Sequence, residues 1–381
     1  MAGTDKVDVA VIGAGPGGLA AAATLRQVGI SSVVFDRETQ LGASWRRHYD
    51  RLHLHTTRSL SALPGLPISK QYGSFVARDD VVQYLEDYAR HHELSLQFGT
   101  VVSRLERAGA GWRLLTPEGP VDASSVVVAT GYSNALHVPD WPGRDAFTGE
   151  LIHASRYRNA APYRGKDVLV VGTGNTGAEI AVDLVEGGAA SVKLSARTPP
   201  NIVPRQFAGI PTQALGIMLR PLPAWIVDPI VALFSRLTLG DLTRYGVPKA
   251  PRGMYTQVLR DGVLPILDVG LVAALKRRQV EMVPGVEAFD GADVLLAGGK
   301  RVRPQAVVAA TGYRRGLEGL CGHLGVLDAR GCPTVHGSRV HPDARGVYFA
   351  GFTNPVSGAL RELAKQSIRI ARAIRQAQAT R

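Results

Sequence analysis

Two stretches of this 381-residue chain carry glycines at a spacing suited to holding phosphate. The first is Gly13-Ala14-Gly15-Pro16-Gly17-Gly18, after the apolar run Val7 to Ile12. The second is Gly172-Thr173-Gly174-Asn175-Thr176-Gly177, after Val168 to Val171. In such a loop the first glycine makes the tight turn out of a strand. The second lets backbone approach a pyrophosphate, and the third lets the helix pack on the strand. Free N–H groups at the helix start then face the phosphates. One such loop is a weak signal. Two, each between an apolar run and a helix-like stretch, predict a protein that holds two dinucleotides. Gly13, Gly15, Pro16 and Gly18 are the candidate contacts of the first; Gly172, Gly174, Asn175, Thr176 and Gly177 are those of the second.

The copies differ where the ligand is chosen. Counted from the first glycine, Asp36 and Ser195 occupy the same place. An acid at the end of the second strand bonds a ribose 2′-hydroxyl, which suits FAD at the first loop. At the second loop the acid is absent, and Arg197 follows Ser195. An arginine there can pair with a 2′-phosphate, which favours NADPH over NADH. The alternative for Arg197 is a solvated loop cation. Arg37, Trp45, Arg46 and Val102 are further candidates for the first dinucleotide.

The positioning elements follow from pattern. Val7 to Ile12 reads as a strand, and Leu19 to Leu25 as a helix ended by Gly29. Asp79 to Tyr88 reads as an amphipathic helix. Leu96 to Phe98, Val101 to Leu105 and Trp112 to Thr116 read as short strands. Val126 to Gly131 is a buried strand leaving the core through a glycine. A second Ala-Thr-Gly-Tyr sequence, at 310–313, repeats the one at 129–132, so Ala129, Thr130, Gly131, Thr311 and Gly312 are candidate cofactor contacts. Near the end, Gly346 to Gly351 reads as a strand, with Gly351 and Phe352 as contacts beyond it. Ser357 or Asn354 is placed to cap a helix from Ala359 to Gln376. That helix start would face the flavin pyrimidine carbonyls; the alternative is an ordinary packing helix.

The fold expectation is α/β, with two dinucleotide-binding Rossmann-like domains and the NADPH domain inserted in the FAD domain. The FAD domain is expected over 1–150 and 319–381. The NADPH domain is expected over 151–318, with an apolar insert at about 205–262. Within that insert, residues 210–240 are strongly apolar, yet too short to span a bilayer. They read as a channel wall or packed subdomain in preference to a membrane-surface segment, because few basic residues flank the apolar face.

Composition narrows the function classes. Hydrophobic residues at 45% and charged residues at 20% fit a globular protein. The two cysteines, Cys321 and Cys332, form no Cys-x-x-Cys pair, so neither a redox disulfide nor a metal site is expected. Their scarcity suits a reducing, cytoplasmic setting, and the start of the chain shows no signal peptide. The net charge of +12 raises nucleic acid or an anionic membrane as partner. The cations are spread along the chain and no nucleic-acid motif appears, so no nucleic acid is expected. Monomer and homodimer both stay open.

Between the loops stands Phe147-Thr148-Gly149-Glu150-Leu151-Ile152-His153-Ala154-Ser155-Arg156-Tyr157. It resembles the F-x-G-x-x-x-H-x-x-x-Y sequence of flavin-containing monooxygenases; related Baeyer–Villiger enzymes carry tryptophan at the place of Tyr157. Tyr49 to His55, Val203-Pro204-Arg205, Tyr245 to Pro251, Pro265 to Gly270, Val283 to Val286 and Gly351-Phe352-Thr353 resemble the YUCCA branch, the indole-3-pyruvate monooxygenases. One departure is Thr56-Thr57-Arg58-Ser59 after His55, where the branch usually has Leu-Pro-Lys-Gln.

The resemblance implies FAD reduced by NADPH, a C4a-(hydro)peroxyflavin, and transfer of oxygen to a small molecule. The leading expectation is oxidative decarboxylation of an aryl-pyruvate-type 2-oxo acid such as indole-3-pyruvate. Its partners are that substrate and molecular oxygen. His55, Thr56 and Arg205 are the candidate catalytic residues. Arg205 would meet the nicotinamide or the substrate carboxylate, with Arg58 a weaker candidate; an ordinary surface arginine is the alternative for each. Other readings are N- or S-oxygenation, Baeyer–Villiger oxygenation, or an NADPH-dependent flavin reductase or oxidase.

Overall fold

In the computed structural model, residues 5–380 are described, and they form two compact units. The first comprises residues 1–46, 56–135 and 313–381; the second comprises 47–55 and 136–312. Each carries one glycine loop.

In the first unit, β1 (Asp5–Ile12) enters the loop and α1 (Pro16–Gln27) leaves it. β2 (Ser32–Phe35), α2 (Arg78–His91), β3 (Ser95–Gln97), β4 (Arg104–Ala108), β5 (Gly111–Leu115) and β6 (Val121–Val128) follow. The strands lie in the order β3-β2-β1-β6-β5-β4. The β3-β2-β1-β6 part is parallel, whereas β4 and β5 pair antiparallel. The strand expected at Val101 begins instead at Arg104. Val101 is 45% exposed, and only from Arg104 does the chain pair with β5.

In the second unit, β7 (Glu150–His153), β8 (Asp167–Val171), α3 (Asn175–Glu186) and β9 (Ser191–Ala196) surround the second loop. Then come β10 (Ile202–Pro204), α4 (Thr212–Leu219), α5 (Ala224–Leu239), α6 (Met254–Asp261) and β11 (Ile266–Asp268). β12 (Val280–Pro284) and β13 (Ala306–Ala309) complete an all-parallel sheet in the order β12-β9-β8-β13-β7. The chain then returns to the first unit with β14 (Val347–Phe349), parallel to β6, and the long α7 (Ala359–Ala379). Neither Ser357 nor Asn354 caps α7. Its N-cap is Gly358, at φ 96°, and the Ser357 hydroxyl donates to Glu362 instead.

Both sheets are apolar on two faces because both are covered on two faces. Val9 and Val11 of β1 join one core, Ala10 and Ile12 the other. In β8, Val168 and Val170 face one core, Leu169 and Val171 the other. This alternation explains why the strands read as unbroken apolar runs.

The loop glycines divide as their roles require. A Cβ at Gly18 would lie 1.8 Å from the Gly13 carbonyl oxygen, and one at Gly177 2.0 Å from that of Gly172. At Gly15 and Gly174 a Cβ would meet nothing within 4 Å. Gly18→Ala and Gly177→Ala should therefore each cost about 2–4 kcal/mol, read as a lower midpoint of urea unfolding. Gly15→Ala and Gly174→Ala should stay within about 1 kcal/mol of the parent in the cofactor-free protein.

Candidate functional site

Each glycine loop ends in a helix start that lacks a side-chain cap: Gly15 is the N-cap of α1 and Gly174 that of α3. The first N–H groups of each helix have no acceptor within the helix. Above the middle glycine the space is open. That combination fits a pyrophosphate at both loops. Beside Gly13, Ala129 donates its N–H to the Ile12 carbonyl. The next residue, Thr130, keeps a buried hydroxyl with no hydrogen-bond partner among the described residues. A buried polar atom left in that state marks a place where a ligand can supply the partner.

Asp36 stands directly after β2. Its carboxylate accepts from Ala14 N–H at 2.5 Å and from Glu38 N–H at 2.9 Å. The expected counterpart, Ser195, is not its equivalent. Gly13 N–H donates to the Phe35 carbonyl, and Gly172 N–H donates to the Ser195 carbonyl. Ile12 pairs with Phe35, and Val171 with Ser195. Ser195 thus matches Phe35, and Ala196 matches Asp36. One residue more separates the end of α3 from Val192 than separates the end of α1 from its match, Ser32, which counting from the glycine misses. Ser195 is buried, and its hydroxyl donates to the Pro284 carbonyl at 2.8 Å. Arg197 follows Ala196 immediately and is exposed, with no ion pair or hydrogen bond among the described residues. Gly285 lets the chain after β12 lie against it; a Cβ there would come within 3.2 Å of Arg197 Cα.

The side chain of Asn175 is committed to the fold. Its Oδ1 accepts from Leu267 N–H at 2.7 Å, and its Nδ2 donates to the Pro265 carbonyl at 3.2 Å. It anchors the Pro265 to Gly270 segment beside the loop.

The feature that sequence reasoning missed is an acidic stripe on α3. Glu179, Asp183 and Glu186 recur at helical spacing and grip the 47–55 segment. Glu179 is 4% exposed. Its carboxylate accepts from the Tyr49 hydroxyl at 3.0 Å and is hydrogen-bonded to His55 Nε2. Arg51 pairs with Glu186 at 2.8 Å and reaches Asp183 at 3.6 Å. Asp183 also accepts from the Tyr157 hydroxyl at 2.6 Å. Burial, and then the Glu179 charge, push the Tyr49 phenol far above its ordinary pKa; Arg51 and the Thr176 hydroxyl pull the other way. One signal was present in the sequence: Glu179 interrupts the apolar face Ala178-Ile180-Ala181-Val182 of a helix.

The expected catalytic residues divide between the units. His55 belongs to the second, on Glu179. Thr56 belongs to the first, where its hydroxyl shares a hydrogen bond with Ser61 Oγ at 2.8 Å. Arg205 follows β10, half-buried; desolvation lowers its pKa and the Glu179 charge raises it. Its guanidinium stays charged at neutral pH. In the first unit Arg37 lies 3.5 Å from Glu38, and Arg46 is bound to Glu86 and the Leu41 carbonyl. Gly351 N–H donates to Gln366, and Phe352 packs edge-on against Phe349. In the second, the Thr311 hydroxyl donates to the His137 carbonyl.

The Phe147 to Tyr157 sequence acts as packing within the second unit. Phe147 meets Phe289 edge-on at 5.1 Å, and Tyr157 stacks on Tyr163 at 5.6 Å. A Cβ at Gly149 would fall 2.6 Å from the Phe147 ring. His153 Nδ1 accepts from Ser155 N–H at 3.1 Å, so Nε2–H donates to the Gly312 carbonyl at 3.1 Å.

Comparison with known proteins places this geometry. The family model described as pyridine nucleotide-disulphide oxidoreductase matches residues 10–203. The chain is 34% identical to the indole-3-pyruvate monooxygenase YUCCA1 of Oryza sativa subsp. japonica, over 90% of this chain and 86% of that protein. It is 33% identical to the probable indole-3-pyruvate monooxygenase YUCCA9 of Arabidopsis thaliana, over 90% and 83%. The chain belongs to the YUCCA-type flavin monooxygenases. The fold agrees: the flavin-containing monooxygenase of Stenotrophomonas maltophilia superposes with TM-score 0.73 at 24% identity, covering 99% of each chain. As a member of this family the protein is an NADPH-dependent flavin monooxygenase that uses FAD.

Two outcomes follow for this flavin monooxygenase. Glu179→Ala should destabilise by about 2–4 kcal/mol, because it strands the buried Tyr49 hydroxyl and the half-buried His55 ring, whereas Tyr49→Phe should cost only about 1–2 kcal/mol. Urea unfolding of the three proteins gives the comparison. Acid should loosen the second unit through His153. Burial lowers its pKa, the Gly312 carbonyl opposes this, and His137 adds to it. As pH falls below about 6.5 the unfolded chain takes the proton first, so stability is lost over the interval down to the folded value. The fall in thermal midpoint from neutral to mildly acidic pH should be smaller in His153→Gln than in the parent.

Proposed function

We propose that this monooxygenase acts on an aryl-pyruvate-type 2-oxo acid such as indole-3-pyruvate and releases the acid shortened by one carbon. The observation that carries the reading is the 34% identity, across 90% of the chain, to a relative named for that substrate. The balance is 2-oxo acid, dioxygen, NADPH and a proton giving the shorter acid, carbon dioxide, NADP⁺ and water. One oxygen atom enters the new carboxylate and the other leaves as water.

Bound FAD supplies the acceptance of hydride and the activation of dioxygen. This chain's residues bind, orient and exclude water. Gly13, Gly15, Pro16 and Gly18 would cradle the FAD pyrophosphate, and Asp36, fixed through two backbone N–H groups, would bond the adenosine ribose. Arg37, Trp45, Arg46, Val102, Ala129, Thr130, Gly131, Gly351 and Phe352 would complete that site, and the uncapped start of α7 would offer its N–H groups to the flavin. Gly172, Gly174, Thr176 and Gly177 cradle NADPH beside Thr311 and Gly312, with Asn175 holding the neighbouring strand. With Ala196 at the selecting position and Arg197 next, the 2′-phosphate meets an arginine and no acid. Arg205 is the cation for the substrate carboxylate. In the second unit His55 is held by Glu179; in the first unit Thr56 carries a candidate hydroxyl. Two free cysteines suit a cytoplasmic location.

Holoenzyme supplied with NADPH, oxygen and indole-3-pyruvate should form indole-3-acetate and carbon dioxide in step with NADPH consumed, read by mass spectrometry. NADPH consumption that yields only hydrogen peroxide would refute the substrate. An oxygenated product from a panel of amines, sulfides or ketones would redirect it. Arg205→Ala should raise KM for the 2-oxo acid about tenfold, and Arg197→Ala should erase most of the preference for NADPH over NADH.

A further inference from the structure

The second unit carries an apolar surface that neither cofactor accounts for. Among the described residues thirteen large hydrophobic side chains are exposed, and ten of them lie between Phe207 and Val263. Helix α5 is the centre of this surface, and it is apolar on its outer as well as its inner face. Its solvent face presents Trp225, Ile230, Leu233 and Leu237, with Trp225 at 76% and Leu237 at 77% exposure. Its inner face buries Val227 and Leu239, with Asp228 and Thr238 half-buried beside them. Asp228 accepts from Tyr255 N–H at 2.7 Å and from the Thr256 hydroxyl at 2.5 Å, fixing the start of α6. The Thr238 hydroxyl donates back to the Phe234 carbonyl. Turning the helix over would strand Asp228 away from α6, so the apolar face is held outward by the fold. An outward apolar patch of this size marks a contact surface.

Charge selects the occupant. Asp228 is turned inward, Asp241 lies 3.8 Å from Arg244, and Asp261 lies 3.3 Å from Arg252. Arg236, Lys249 and Arg260 are exposed, with no ion pair among the described residues. Arg236 stands on the apolar face itself. A second copy would bring the same cations against these, in a chain of net charge +12. An anionic lipid surface takes the apolar side chains among its acyl chains and the cations at its headgroups. No helix among the described residues is long and apolar enough to cross a membrane, so the contact lies in the membrane plane. We propose that α5, with Phe207 packed edge-on against its Phe234, docks this enzyme peripherally on an anionic membrane. This proposal departs from the expected channel wall or packed subdomain, an expectation that rested on few flanking cations within residues 210–240; Lys249 and Arg260, beyond that stretch, add exposed cations to the same insert.

Holoenzyme should sediment with vesicles of phosphatidylcholine mixed with phosphatidylglycerol, and weakly with phosphatidylcholine alone. The double variant Leu233→Asp, Leu237→Asp should lose at least about tenfold of that binding while keeping its rate of flavin reduction by NADPH. Brominated lipid should quench tryptophan fluorescence in the parent and less in Trp225→Phe, a readout of insertion separate from folding. Parent protein left in the supernatant with both vesicles would overturn the proposal, as would undiminished binding by the double variant. A dimer split by the same double variant, without vesicle binding, would assign the face to a second copy.

Discussion

A carboxylate buried as deeply as that of Glu179 is tolerated only when its oxygens are engaged by donors. Tyr49 and His55 are those donors, and neither is near Glu179 in sequence. The chain must therefore leave the first unit after residue 46, run along α3, and return at residue 56. Arg51 on Asp183 and Glu186 fixes the middle of that excursion, and Asn159 on Asp50 fixes its flank. The same helix begins at the second glycine loop. What holds the excursion also holds the orientation of α3, and so the direction in which the loop N–H groups point.

The doubled loop is a duplication of scaffold rather than of chemistry. Both copies need glycine at the turn and at the helix–strand contact for steric reasons that any ligand would leave unchanged. They diverge at the strand end, the position at which such folds discriminate nucleotides. In the first copy an aspartate is tied back to the loop it serves. In the second the position falls to Ala196, leaving the neighbouring arginine unopposed by any acid at the strand end. Removing an acid and adding a cation act together, because the acid would repel a phosphate that the cation attracts.

Local features were legible in the sequence, and non-local ones were not. The apolar runs of β1, β6, β8 and β13 gave their strands within a few residues, since two-sided burial leaves no polar alternation to confuse them. The glycine loops were legible because sterics at Gly18 and Gly177 admit nothing else. Counting failed at Ser195, because one added residue between helix end and matched strand position shifts the register without leaving a compositional mark. The 47–55 segment failed for a different reason. Its membership of the second unit is set by partners more than a hundred residues away, and only the misplaced polarity of Glu179 pointed to it.

The same reasoning from misplaced polarity applies to the Phe147 to Tyr157 sequence, with the opposite outcome. A histidine and a tyrosine in a linker invite a catalytic reading. Here His153 is neutral by construction, since Ser155 N–H claims one ring nitrogen and the Gly312 carbonyl takes the proton on the other. Moving a proton through His153 would break one of these bonds in a buried place. Tyr157 is likewise held, its phenol pushed well above its ordinary pKa by burial and then by Asp183. A residue whose every polar atom is spent on the fold has none left for substrate. In this chain the Phe147 to Tyr157 sequence therefore fastens β7 within the second unit.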